Sequence, residues 1–158
     1  MDDADEDAVR EQAVRLLARR EHSRRELARK LGQRGHPAPV IGRALDELAA
    51  ENLQSDARFA EAYVRSRLER GYGPVRIEAE LGERGVDAAL VRPLLEADDD
   101  EWIERCREAH ARRFGHAPGD LRERARQTRF LANRGFSASQ IRRTLELAGA
   151  AEPADRDA

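Results

Sequence analysis

Apolar side chains recur along this chain at helical spacing, and the whole pattern then recurs. Ile41, Leu45 and Leu48, like Ile141, Leu145 and Ala148, fall at i, i+4 and i+7, which lines one face of a helix with apolar groups. Leu31, Leu81 and Leu131 stand fifty positions apart, and the same interval relates Ile41, Val91 and Ile141, and Leu45, Leu95 and Leu145. Aligned without gaps, Leu31-Gly32-Gln33-Arg34-Gly35, Leu81-Gly82-Glu83-Arg84-Gly85 and Leu131-Ala132-Asn133-Arg134-Gly135 share Leu, Arg and Gly. The chain is an internal triplicate.

The shared glycines read as helix stops, because a helix commonly ends on a left-handed residue that only glycine adopts without a Cβ penalty. Leu31, Leu81 and Leu131 then offer the carbonyl that is capped; Val86 and Phe136 supply the accompanying apolar contact, and His36 fills that place less well. Starts agree with stops. Ser23 with Glu26, and Ser137 with Gln140, fit the capping box, and Pro37, Pro74 and Pro118 suit first-turn positions. The result is helices near 8–21, 23–34, 37–52, 56–70, 74–84, 87–97, 99–114, 119–134 and 137–148, with Pro93 kinking or delaying the sixth. The expected fold is all-α: an acidic disordered tail (1–7), three tandem three-helix repeats (8–53, 54–98, 99–148), each a small bundle strung in line, and a disordered tail (149–158).

Composition narrows the function. Lys and Arg number 29 against 31 Asp and Glu, so the formal charge is only −2. Five of the acids fall at Asp2, Asp3, Asp5, Glu6 and Asp7; without them the charge is +3. Nothing is globally attracted to nucleic acid. A single cysteine, Cys106, forbids an internal disulfide, and no run approaches the ~20 apolar residues of a membrane span, so a cytoplasmic protein is expected.

Candidate catalytic groups do not converge. His22, His36, His110 and His116 lie in different repeats or at helix ends, and Cys106 with His110, at i, i+4, supplies two ligands where zinc needs three or four. Cys106 is expected to be a buried apolar residue, His110 a surface or boundary one, and the Asp98-Asp99-Asp100-Glu101 run an acidic first turn favoured by the helix dipole. Gly71-Tyr72-Gly73-Pro74 lacks the Lys-Ser/Thr ending of a phosphate loop. Neither an enzyme nor a cofactor, metal or small-molecule substrate is indicated.

Arginine is the remaining chemistry. From Trp102 to Gly149 there are 11 Arg against five acids, and Arg122, Arg126 and Arg129 form a stripe at i, i+4, i+7, with Arg142 and Arg143 on the next helix. Such a stripe is either a solvated face or an electrostatic footprint for an anionic groove on a protein or nucleic acid. Three-helix units are also the plan of helix-turn-helix DNA readers. Here Asp46, Glu47 and Glu51 in the first repeat, and Glu96 in the second, would repel phosphate; only the third repeat, with Gln140, Arg142 and Arg143, avoids that penalty.

The middle repeat carries a further signature: Asp56-Ala57-Arg58-Phe59-Ala60-Glu61-Ala62-Tyr63-Val64-Arg65-Ser66-Arg67, then Gly71-Tyr72-Gly73-Pro74-Val75-Arg76-Ile77, Leu81 and Gly85. Together with the triplicated plan over residues 8–148, this resembles the RecX family, bacterial regulators of the RecA recombinase. The resemblance implies an elongated, curved body lying in the groove of the RecA filament on DNA and touching more than one protomer. It implies inhibition of the recombinase, ATPase and co-protease activities, and so modulation of DNA repair and the SOS response. Phe59, Tyr63, Ile77 and Leu81 read as core and Asp56 as a helix cap. Arg58, Arg65, Arg67 and Arg76 are candidates for partner contact. The set expected to bind is Arg65, Arg67 and Arg76 with Arg122, Arg126, Arg129, Arg142 and Arg143. Gln127, standing where the other repeats have Leu27 and Ile77, is expected to shift its helix in register. The alternative is a direct nucleic-acid binder using the basic third repeat, and a weak non-specific DNA contact is compatible with either reading.

Overall fold

The computed structural model describes residues 3–151, and these form α-helices and connectors without a strand. The helices are α1 (Asp3–Arg19), α2 (Arg24–Gln33), α3 (Ala38–Ala50), α4 (Asp56–Glu69), α5 (Pro74–Glu83), α6 (Ala88–Leu95), α7 (Asp99–Arg113), α8 (Leu121–Arg134) and α9 (Ala138–Ala151). The acidic run expected as a disordered tail is therefore helical from Asp3 on, and α9 extends to Ala151 into the segment expected to be its counterpart. The remainder of both tails, 1–2 and 152–158, lies outside the described residues.

The three glycine stops adopt positive φ, at 90°, 79° and 103° for Gly35, Gly85 and Gly135. Each closes its helix with two bonds. The glycine N–H donates to Gly32, Gly82 or Ala132 O at 3.0 Å, and the following N–H donates to Leu31, Leu81 or Leu131 O at 3.1–3.4 Å. The same closure occurs at Asn52 (φ 60°) and Gly71 (φ 83°), where no repeat signal marks it. Both capping boxes form: Ser23 Oγ accepts from Glu26 N while Ser23 N donates to Glu26 Oε1, and Ser137 with Gln140 repeats the exchange.

Four starts differ from expectation. Pro37 is the cap before α3 rather than a first-turn residue. Pro118 precedes α8 rather than opening it, because Asp120 is the cap and accepts from Glu123 N at 2.8 Å. Ser55 caps α4 through Arg58 N, which frees Asp56 to accept the first N–H of α2, Arg24 N, at 2.8 Å. Pro93 neither delays nor prevents α6, which starts at Ala88 and stops two residues beyond the proline.

The described helices pack as two compact units. Of the described residues, one unit comprises 3–63 with 80–93 and the other 64–79 with 94–151, so the middle repeat contributes to both. In the first unit α1 lies on α3 and α2, around Val9, Leu27, Leu31, Val40, Ile41, Leu45 and Leu48. In the second, α7 lies on α9 and α8, around Trp102, Cys106, Leu131, Phe136, Ile141 and Leu145.

The reason is a junction that occurs once inside each unit, with the fifty-residue offset preserved. In the first, the start of α2 meets the end of α5: Ser23 Oγ donates to Arg84 O at 2.8 Å. In the second, the start of α5 meets the end of α8: Gly73 N donates to Arg134 O at 2.8 Å and Val75 N to Gly135 O at 2.9 Å. Gly73 stands where Ser23 does. A Cβ on Gly73 would lie 2.6 Å from the Gly135 carbonyl, so only glycine allows two backbones to approach this closely.

Candidate functional site

Gln127 does not shift α8. It is fully buried at the core position held by Leu27 and Ile77, and its polarity is satisfied by a partner that periodicity assigned to the surface. Its Nε2 donates to Glu123 Oε1 at 3.0 Å and His116 O at 3.3 Å, which turns Oε1 toward His110 Nε2, 2.7 Å away. His110 is thus a buried residue whose Nε2 carries the proton, not a boundary residue. The amide and Arg126 at 3.2 Å hold the Glu123 carboxyl below its ordinary value. Cys106 is buried as expected, and burial pushes its thiol up to about 11. No group of three or more His, Cys, Asp or Glu converges as metal ligands among the described residues, and no helix among them is long and apolar enough to cross a membrane.

The arginines divide by environment. Arg58 is structural: it pairs with Glu21 at 2.8 Å and donates to the carbonyls of Asn52 and Leu53, which close the end of α3. Arg67 and Arg76 are half-buried, with their guanidinia 5.1 and 4.3 Å from the centre of the Tyr72 ring. Arg134 joins them at 4.9 Å, and Arg76 also donates to Asn133 O at 3.0 Å. Stacking on an aromatic face holds a guanidinium in place. Arg65 is exposed on α4 and has no ion pair or hydrogen bond among the described residues.

The stripe on α8 is exposed as the spacing implied, but Arg126 is tied to Glu123 and lies 5.4 Å from the Phe114 ring. Arg122 and Arg129 have no ionic partner among the described residues. On α9, Arg142 is exposed and unpaired in the same sense, while Arg143 meets Glu146 at 3.4 Å. Sequence reasoning missed a second arginine group. Arg70, Arg112, Arg113 and Arg134 line a pocket of about 140 Å³ with Gly71, Ala109 and Phe130. These residues come from three helix ends, so no periodic pattern links them; comparing the repeats in register was the signal available.

Such a surface defines a class: a protein of tandem three-helix units that presents arginines from several of its helices. Comparison with known proteins gives the class its name. Sequence models of the first, second and third three-helix domains of RecX match residues 10–48, 55–94 and 99–145. Regulatory protein RecX of Halorhodospira halophila is 49% identical over 152 residues, covering 96% of this chain and 91% of that protein. Regulatory protein RecX of Chromohalobacter salexigens is 52% identical over 136 residues, covering 86% and 90%. The fold is similar to the crystal structure of RecX from Lactobacillus salivarius, with a TM-score of 0.76 at 23% identity over 93% of this chain and 98% of that one. The chain belongs to the RecX family, and its relatives are regulatory proteins.

Proposed function

We propose that this chain acts in the cytoplasm as an inhibitor of the RecA recombinase, binding in the groove of the RecA filament on DNA and hindering recombination, ATP hydrolysis and co-protease activity. The observation carrying this reading is identity of about half with regulatory RecX proteins along nearly the whole chain. The mechanism is steric and electrostatic. A filament presents repeated surface, so similar modules engage it through several weak contacts that act together by effective concentration. Arg65, Arg122, Arg129 and Arg142, exposed and unpaired among the described residues, steer and register that encounter against filament carboxylates. No bond is broken by the regulator, so its effect depends on occupancy.

Charge reversal of Arg122, Arg126 and Arg129 tests the contact set. Inhibition of RecA-dependent ATP hydrolysis is expected to weaken at least tenfold, and unchanged inhibition would remove the α8 stripe from it. Affinity for bare single-stranded DNA equal to that for RecA-coated DNA, falling steeply with salt, would overturn the filament reading itself.

A further inference from the structure

The two equivalent junctions differ in one respect that bears on ligand binding. At the first, Arg20 and Arg84 converge on Glu26, whose carboxylate lies 3.2 Å from Arg20 and 4.0 Å from Arg84. Burial raises that carboxyl, but Arg20 and the Ser23 N–H bring it below its ordinary value, so Glu26 is a permanent anion between two cations. Fifty residues on, Arg70 and Arg134 occupy the places of Arg20 and Arg84, and the place of Glu26 is taken by Arg76. The second junction has the cations of the first without its anion.

The pocket there contains four guanidinium-bearing residues and no carboxylate. None of Arg70, Arg112, Arg113 and Arg134 has an ion pair among the described residues. Helix dipoles favour a cation at each of the three helix ends, but do not require all four to line one concavity. Two of the guanidinia are preorganised: Arg113 and Arg134 lie 5.6 and 5.3 Å from the Phe130 ring, and Arg134 also donates to Arg70 O at 3.3 Å. At about 140 Å³ the space is small for a drug-sized ligand, whose pockets run to roughly 300 Å³ or more, and suits a compact oxyanion.

We infer that the Arg70, Arg112, Arg113 and Arg134 pocket binds a phosphate group, which supplies from outside the negative charge that Glu26 supplies at the first junction. Phosphate is favoured over a carboxylate because its tetrahedrally arranged oxygens offer converging forks more acceptor directions, and more negative charge, than the two coplanar oxygens of a carboxylate do. The group is either a backbone phosphate of a nucleic acid or a free phosphate. This inference stands apart from the filament reading, since it concerns a pocket and not the exposed stripe.

The test uses the full chain, a fluorescent single-stranded oligonucleotide and inorganic pyrophosphate, each without RecA. Arg112→Gln/Arg113→Gln is compared with Arg19→Gln/Arg29→Gln, which removes the same charge from exposed positions outside the pocket. Arg76→Glu restores the missing carboxylate, and Arg112→Lys keeps charge while losing the fork. If the ligand is a strand, the pocket pair weakens oligonucleotide binding at least fivefold and flattens its log–log salt slope by about 0.7 per lost phosphate contact. In that case Arg76→Glu does the same, Arg112→Lys is intermediate and the reference pair changes binding less. If the ligand is a free phosphate, pyrophosphate binding measured by titration calorimetry shows that ranking while oligonucleotide binding does not. Equal effects of the two pairs on both probes, or tighter competition by an oligoglutamate peptide than by pyrophosphate, would overturn the proposal.

Discussion

Alanine at Gly135 puts the second junction under direct test. The residue has φ of 103°, which costs a side-chain-bearing residue about 1–2 kcal/mol. Its new Cβ would also fall on Arg76 Cβ and within 2.8 Å of Arg76 N, where backbone rather than a flexible side-chain tip must yield. Moving the α5 start away stretches the Gly73–Arg134 and Val75–Gly135 hydrogen bonds, each worth about 1 kcal/mol net, so Gly135→Ala is expected to cost about 3–4 kcal/mol. Two alanines calibrate the figure. Gly35 has φ of 90° but nothing within 4 Å of its Cβ, so Gly35→Ala costs only the backbone part, about 1–2 kcal/mol. Gly42 lies inside α3 with open space around its Cβ, and Gly42→Ala stabilises by about 0.5–1 kcal/mol. Urea unfolding followed by circular dichroism ranks the three, and fluorescence of Trp102, buried in the second unit, reads that unit by itself. A Gly135→Ala penalty no larger than that of Gly35→Ala would refute the reasoning that close backbone approach holds this junction.

Other features give sharp expectations. A double-mutant cycle of His110→Leu and Gln127→Leu should show coupling of about 0.5–3 kcal/mol; additive penalties would show that the buried pair does not act as a unit. His22 is buried, with Nδ1 donating to Arg20 O at 3.0 Å and Nε2 accepting from Lys30 at 3.1 Å. Burial, aided by the charges of Arg20 and Lys30, lowers its pKa from the ordinary value. The unfolded chain therefore binds the proton more readily, and the contribution of His22 is full above about pH 6.5 and lost as pH falls through the lowered folded value. Thermal unfolding from pH 7.5 to 4.5 should show a decline that His22→Gln reduces; identical pH profiles would discount it. Cys106, its thiol at about 11, should alkylate far more slowly at pH 8 in the native protein than in urea, and equal rates would contradict its burial.

The fold was legible where it is local. Gly35, Gly85 and Gly135 announce their helix stops because the closing bonds span five residues, and the Ser23 and Ser137 boxes span three. What stayed hidden depends on partners about sixty positions away, such as Gly73 against Arg134, or on a compensating pair such as His110 and Gln127. Read alone, Gln127 is a misplaced polar residue; only the packing of α7 on α8 shows the imidazole that satisfies it. Arginine stripes reveal exposure, as at Arg122 and Arg129, yet periodicity does not separate a cation free to meet a partner from one such as Arg58, spent on capping a neighbouring helix.

Because α5 gives its first half to one compact unit and its last turn to the other, the modules visible in the gene are not the pieces that a protein chemist can isolate. A fragment cut at residue 98 would carry the Gly73 and Val75 amides without the carbonyls that receive them, and one begun at residue 99 would lack the turn against which Arg134 and Gly135 close. Dissecting this protein one module at a time would therefore yield fragments with frayed ends, and losses of activity in them would report damage to the cut edge before anything about recognition.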